Sequence, residues 1–118
     1  MIRRLIVACV ALLLVLMDRA YAHTALKSSS PATESILEAL PDELVLTFTE
    51  ATRLTSIVVV SPAGNAQLQF SPAGAAESFK SAKPPLIPGR NEVRWYALSR
   101  DGHVVEGKIF VVIRSRDP

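Results

Sequence analysis

The sequence contains little sulfur, and all of it lies near the N-terminus. The one cysteine and the two methionines are Cys9, Met1 and Met17. The remainder of the chain, residues 18–118, cannot form an internal disulfide and offers a metal no soft sulfur ligand. Histidine is almost as scarce, since His23 and His103 are the only two.

Residues 1–22 are expected to be a secretory signal peptide. The pair Arg3-Arg4 gives a basic start, residues 5–17 are apolar, and Ala20-Tyr21-Ala22 has the small-x-small pattern that signal peptidase reads. The apolar run has thirteen residues, fewer than the roughly 20 that a transmembrane helix needs. Ile6-Val7-Ala8-Cys9 resembles a lipoprotein cleavage site, but almost no apolar segment precedes the cysteine, so lipidation is the weaker alternative.

Neither sign of charge is in excess once residues 1–22 are set aside. The whole chain has 13 lysines and arginines and 11 aspartates and glutamates, and the signal segment holds three arginines and one aspartate. Ten basic and ten acidic residues remain in residues 23–118, which gives no electrostatic reason to expect a nucleic acid as a partner. These 96 residues are expected to form one domain with a single hydrophobic core.

Short apolar stretches separated by turn residues predict an all-β domain. Residues 44–49 alternate between apolar and polar, and Glu50 is expected to end that strand. The other predicted strands are residues 24–30, 55–61, 67–70, a stretch around Phe79, 92–99 and 107–113. Residues 32–40 are expected to form a packed loop that can contain one helical turn, and residues 71–85 are the least defined. The pattern favours an immunoglobulin-like Greek-key sandwich or barrel of about seven strands.

Three residues are candidate metal ligands. If the signal peptide is cleaved after Ala22, His23 becomes the first residue and offers both its α-amine and its imidazole. Asp101 and His103 lie two residues apart between the last two predicted strands, so in extended backbone their side chains project to the same side. Such nitrogen and oxygen donors suit Cu(II) or Ni(II) in tetragonal geometry, and Cu(II) heads the divalent affinity order. Zn(II) accepts the same donors but prefers a tetrahedron.

The same residues also have a purely structural explanation. Asp101-Gly102 is ordinary hairpin chemistry, and a histidine after it can be a solvated loop residue. The metal site is favoured because the only two histidines outside the signal peptide occupy these two places. Glu50 is a candidate for a supporting role, either approaching the metal or accepting a hydrogen bond from a ligand, although a glutamate at a strand end is usually solvated. Trp95 is expected to lie in the core.

From residue 23 onward the sequence resembles the CopC family of periplasmic copper-resistance proteins over nearly its whole length. The most specific match is Val93-x-Trp95-x-x-Leu98-Ser99-x-Asp101-Gly102-His103 followed by Gly107, and the others are His23, Ser29-Ser30-Pro31-Ala32, Leu37 with Pro41, Leu44-x-Leu46-x-Phe48-Thr49-Glu50, and Pro88-Gly89. The resemblance implies a cupredoxin-like or immunoglobulin-like β-barrel. It also implies a Cu(II) site formed by the amine and imidazole of His23 with Asp101 and His103, and it places Glu50 near that site. The methionine-rich Cu(I) site of some members is not expected, because this chain lacks its methionines and its additional histidine.

The function implied by this resemblance is periplasmic binding of Cu(II) for copper resistance or homeostasis, by sequestering the ion or delivering it. The expected partners are copper and a CopD-like inner-membrane copper transporter, and the chain is expected to be monomeric and not an enzyme. One alternative is a small copper-dependent oxidase, because an N-terminal histidine with a second histidine is also the histidine-brace pattern. A chain of 96 residues leaves little room for a substrate-binding face. A second alternative is a metal-free β-sandwich that acts as an interaction module.

Overall fold

The computed structural model describes residues 25–114, and all regular structure in them is β-strand. The strands are β1 (Leu26–Ser30), β2 (Ser35–Leu37), β3 (Glu43–Ser61), β4 (Gly64–Gln67), β5 (Ala75–Ala82), β6 (Gly89–Leu98) and β7 (Val104–Ile113). This confirms the predicted all-β fold of about seven strands. The predicted signal peptide and His23 lie outside the described residues. Within residues 25–114 no helix is long and apolar enough to cross a membrane.

The long strand β3 belongs to both halves of the sheet. Its first half pairs antiparallel with β1 and with β5. Its second half, from Arg53 onward, pairs antiparallel with β6 and with β4. β6 pairs antiparallel with β7, and β2 lies parallel to β7 at the far edge. The sheet curls in this Greek-key arrangement, so side chains from the two halves of β3 face one core.

Glu50 does not end a strand, contrary to the prediction, because β3 continues through it. The pairing of β3 is irregular between Thr47 and Thr52 on the β5 side, and between Leu54 and Ser56 on the β6 side. An extra residue at a bulge moves every later side chain to the other face of the strand. The buried positions accordingly change from even to odd numbers, with Leu44, Leu46, Phe48, Thr52 and Leu54 before the second irregularity and Ile57 and Val59 after it. One bulged strand therefore has the sequence pattern of two separate strands.

The stretch of residues 32–40 contains a short strand, β2, where a packed loop was predicted. The Glu34 amide donates to the Phe110 carbonyl at 2.7 Å, and the Arg114 amide donates to the Leu37 carbonyl at 2.7 Å. These bonds tie both ends of β2 to β7. A strand of three residues with a partner so distant in the sequence has no alternation of its own, so its pattern could not reveal it.

Several other strand boundaries differ from the prediction. β4 lies at residues 64–67 where residues 67–70 were expected, and the poorly defined region contains the full strand β5. β6 starts three residues earlier than predicted and β7 also starts three residues earlier, at Val104. The connection between β6 and β7 is consequently short, and it carries the candidate ligands.

Aromatic side chains from three strands meet at the centre of the core. The ring centroid of Phe48 lies 6.0 Å from that of Phe79 and 5.0 Å from that of Trp95, and both pairs are close to perpendicular. Edge-to-face packing of this kind stabilises aromatic clusters. Trp95 is 5 % exposed, which confirms its predicted place in the core.

Gly107 is required by the position of Trp95. The two residues are direct partners across β6 and β7, and a Cβ at Gly107 would lie 2.5 Å from Cζ2 and 2.7 Å from Cε2 of the indole. We expect Gly107→Ala to lower the free energy of unfolding by about 1–3 kcal/mol through overpacking, measured by urea denaturation. The same substitution should cost less in a Trp95→Phe background, because a phenyl ring is smaller and lacks the fused second ring of the indole. Equal costs in the two backgrounds would contradict this explanation.

Candidate metal site

The connection between β6 and β7 is a closed five-residue loop, residues 99–103. The Ser99 amide donates to the His103 carbonyl at 2.9 Å, and the Gly102 amide donates to the Ser99 carbonyl at 3.0 Å. Gly102 has a φ of 86°, in the left-handed region that glycine adopts without a steric penalty. The turn at Gly102 brings the side chains of Asp101 and His103 together.

Asp101 accepts three hydrogen bonds inside this loop. Its Oδ1 accepts from the Ser99 hydroxyl and, at 3.3 Å, from the His103 amide, while Oδ2 lies 2.7 Å from His103 Nδ1. Hydrogen bonds to a carboxylate favour its charged form. The bond from Ser99, followed by that from His103, lowers the pKa of Asp101 to about 2. The carboxylate is therefore ionised at neutral pH.

The contact between Asp101 and His103 leaves one ring nitrogen of the histidine for another partner. Nδ1 donates to the Asp101 carboxylate, so Nε2 is the nitrogen available to accept a proton or bind a metal. Metal-binding histidines commonly donate their other ring N–H to a carboxylate, which fixes the tautomer and the ring orientation. The side chains of His103 and Asp101 are 76 % and 65 % exposed, so an ion can reach the pair from solvent.

The chain enters the described structure beside an irregular part of β3. The Ala25 amide donates to Thr49 Oγ1 at 3.2 Å, and the Thr49 amide donates to the Ala25 carbonyl at 2.9 Å. Three residues after Thr49 in β3, Thr52 Oγ1 donates to the carbonyl of Leu98 at 2.7 Å. Leu98 is the residue immediately before the loop. The same stretch of β3 thus contacts both the first described residue and the base of the loop.

The predicted ligands are brought together only in part. Asp101 and His103 are in contact, whereas His23 lies outside residues 25–114. Glu50 is half-buried in the irregular part of β3, and no group of three or more histidine, cysteine, aspartate or glutamate side chains that could hold a metal occurs within the described part of the chain. An imidazole and a carboxylate are suitable donors for Cu(II), but two side chains do not complete a site. A metal site at this loop would need at least one further donor.

Sequence reasoning assigned no role to Ser99, which contacts both described candidates. It was placed in the predicted strand 92–99, but β6 ends one residue before it. Ser99 lies two residues before Asp101, and Gly102 follows Asp101. This spacing is typical of side chains that form hydrogen bonds within a turn. That pattern was the available signal.

The CopC domain family model matches residues 26–113 of this sequence. The chain belongs to the CopC family. Its fold is similar to that of CopC from Methylosinus trichosporium OB3b, with a TM-score of 0.67 and 24% identity over 81% of this chain and 98% of that one. PcoC, a methionine-rich copper resistance protein from Escherichia coli, is similar with a TM-score of 0.58 and 26% identity over 79% of this chain and 100% of that one. No curated protein sequence matches this CopC-family chain.

Proposed function

We propose that this chain binds Cu(II) through the Asp101 and His103 pair together with His23, and that it serves copper resistance or homeostasis in the periplasm. The observation that carries the proposal is the loop in which Asp101 holds Nδ1 of His103 at 2.7 Å. This contact orients an exposed imidazole with Nε2 available. Family membership supports copper as the ion, since the chain is similar to a protein described as a copper resistance protein.

The available donors favour Cu(II) over Cu(I). The proposed ligands are nitrogen and oxygen atoms, and residues 18–118 contain no cysteine or methionine. Soft thiolate and thioether ligands select Cu(I), whereas nitrogen and oxygen in tetragonal geometry suit Cu(II) or Ni(II). PcoC is described as methionine-rich, and this chain lacks that feature after Met17.

The position of Ala25 supports His23 as the missing donor. The amide and the carbonyl of Ala25 each form a hydrogen bond with Thr49. The two residues from Ala25 back to His23 span at most about 7 Å. Through Thr52 and Leu98 the same part of β3 adjoins the loop. Cleavage after Ala22 would give His23 a free α-amine, so amine and imidazole could bind the ion as a chelate.

Glu50 is proposed as a supporting residue and not as a principal ligand. It lies between Thr49 and Thr52 in the irregular stretch of β3, and bulges frequently occur beside functional sites. From there a carboxylate can accept a hydrogen bond from a ligand such as the His23 amine or ring. The proposed activity is binding and transfer of the ion, with a CopD-like membrane protein as the receiving partner, and no chemical conversion of a substrate.

We expect the protein to bind Cu(II) and to release Cu(I). The processed protein should bind one Cu(II) per chain, with an EPR spectrum of a tetragonal site. Reduction with ascorbate should release the copper to a Cu(I) chelator, because no sulfur ligand is available to hold Cu(I). The chelator complex is measured by absorbance, and unreduced protein with the same chelator is the control. Retention of Cu(I) against a chelator of modest affinity would show that the ligand set is wrong.

A further inference from the structure

We propose that Ser99 is a positioning residue of the copper site, acting through its hydroxyl on the carboxylate of Asp101. The inference rests on the proposed function. The Ser99 hydroxyl donates to Asp101 Oδ1, and it also lies 3.2 Å from the His103 carbonyl oxygen. A hydroxyl carries one proton. Because that carbonyl already accepts from the Ser99 amide at 2.9 Å, the proton goes to the charged carboxylate, which is the stronger acceptor.

Packing does not hold the two candidate ligands in place. The side chains of Asp101 and His103 are 65 % and 76 % exposed, so their orientation depends on hydrogen bonds within the loop. The Ser99 hydroxyl fixes one carboxylate oxygen, and this leaves the other oxygen directed at Nδ1 of His103. Without the hydroxyl, Oδ1 would keep only the 3.3 Å contact with the His103 amide, and the carboxylate could rotate away from the ring.

The effect of the hydroxyl can be separated from closure of the turn. The turn is closed by the backbone bonds between Ser99 and His103 and between Gly102 and Ser99. Neither bond uses the Ser99 side chain. Removing the hydroxyl should therefore leave the hairpin formed while loosening the two side chains that it displays. A residue that served only the turn would not show this separation.

The test compares two pairs of variants that differ only at the hydroxyl. In the first pair, wild-type protein is compared with Ser99→Ala. In the second, Ser99→Thr is compared with Ser99→Val, which has a methyl group in place of the threonine hydroxyl, and this pair keeps the test valid if alanine disturbs folding. Ser61→Ala is the matched control, because the Ser61 hydroxyl donates to the Gly64 carbonyl at 3.3 Å in the turn between β3 and β4.

Two measurements are made on each variant. Cu(II) affinity should fall about 10–100-fold in Ser99→Ala and Ser99→Val, the range typical for residues that orient metal ligands, and the EPR spectrum should change. Ser99→Thr should stay within about threefold of wild type, and Ser61→Ala should be unchanged. In the metal-free protein, ¹⁵N chemical shifts of the His103 ring should report a single tautomer protonated at Nδ1 in wild type and Ser99→Thr. The other two Ser99 variants should show a mixture of tautomers.

The possible results distinguish this role from the proposed function. If wild type binds Cu(II) and both hydroxyl-deficient variants match it in affinity, EPR spectrum and ring tautomer, the positioning role is wrong and the proposed function stands. If wild type itself binds no Cu(II), the proposed function is wrong and the positioning role for copper is wrong with it. An equal loss of affinity in Ser99→Thr and Ser99→Val would also overturn the role, because it would show that bulk and not the hydroxyl matters.

Discussion

Replacement of His103 by alanine is expected to lower the affinity for Cu(II) by more than about 100-fold while the β-sheet remains intact. Loss of a residue that merely orients a metal ligand typically costs 10–100-fold, and His103 is proposed to supply a ligand nitrogen itself. The fold should survive because the side chain is 76 % exposed and lies outside β6 and β7. Affinity is measured by competition with a Cu(II) chelator, and folding by circular dichroism and urea denaturation.

Two neighbouring variants make this prediction specific. Asp101→Ala should weaken binding less than His103→Ala, because a carboxylate is a weaker donor for Cu(II) than an imidazole, although this variant also removes the contact at Nδ1. Arg100→Ala changes an exposed residue of the same loop to which the proposal gives no ligand atom, so it should bind copper as wild type does. Unchanged affinity in His103→Ala would exclude the proposed site of His23, Asp101 and His103.

The hairpin that carries the loop was predictable because its two strands have long, regular patterns. Side chains in residues 92–99 alternate between two faces, residues 109–113 are continuously apolar, and a short polar segment lies between them. The structure places β6 and β7 at these two stretches. Trp95 was correctly placed in the core because it shares a face with Val93 and Ala97. The spacing of Asp101 and His103 predicted that their side chains would project to the same side of an extended backbone. In the structure the two side chains meet at 2.7 Å, but they do so through a turn at Gly102.

Other features depend on contacts that a linear pattern does not encode. The continuity of β3 through Glu50 was missed because Glu50 and Thr52 are polar residues at the even-numbered positions that apolar side chains occupy up to Phe48. β2 was missed because its pairing with β7 joins distant parts of the chain. The action of Ser99 on Asp101 depends on the backbone turn that Gly102 permits with a φ of 86°. Glycine is needed at residue 107 because the Trp95 ring lies against it across the pairing of β6 and β7. The sequence alone does not show this contact.

The pH dependence of copper binding should identify nitrogen as the titrating donor. Hydrogen bonds from Ser99 and His103 lower the pKa of Asp101 to about 2, so above about pH 4 its carboxylate is already charged and contributes no further change. A peptide α-amine has a reference pKa of about 7.7–8.0, and it must lose its proton to bind a metal. Affinity should therefore fall as the pH drops below about 8.

The α-amine of His23 can be blocked without changing any side chain. Protein with one additional residue before His23 should bind Cu(II) at least about 100-fold more weakly than the processed form, a loss of about 2.7 kcal/mol. The extension keeps every side chain but converts the amine into an amide, which is a poor neutral donor. The chelate formed by the amine and the imidazole of one residue is lost, together with its preorganisation. The EPR spectrum should change, and the β-sheet signal in circular dichroism should not.

The matched control for the extension changes the ring and keeps the amine. Protein processed after Ala22 with His23→Ala retains a free α-amine but no imidazole at that position, and it should also bind weakly, with a spectrum different from that of the extended form. If the extended protein bound Cu(II) as tightly as the processed protein and with the same spectrum, the amine would not be a ligand. Weak binding by His23→Ala together with full binding by the extended protein would assign the ring alone to the site. In that case cleavage of the signal peptide would have no part in assembling it.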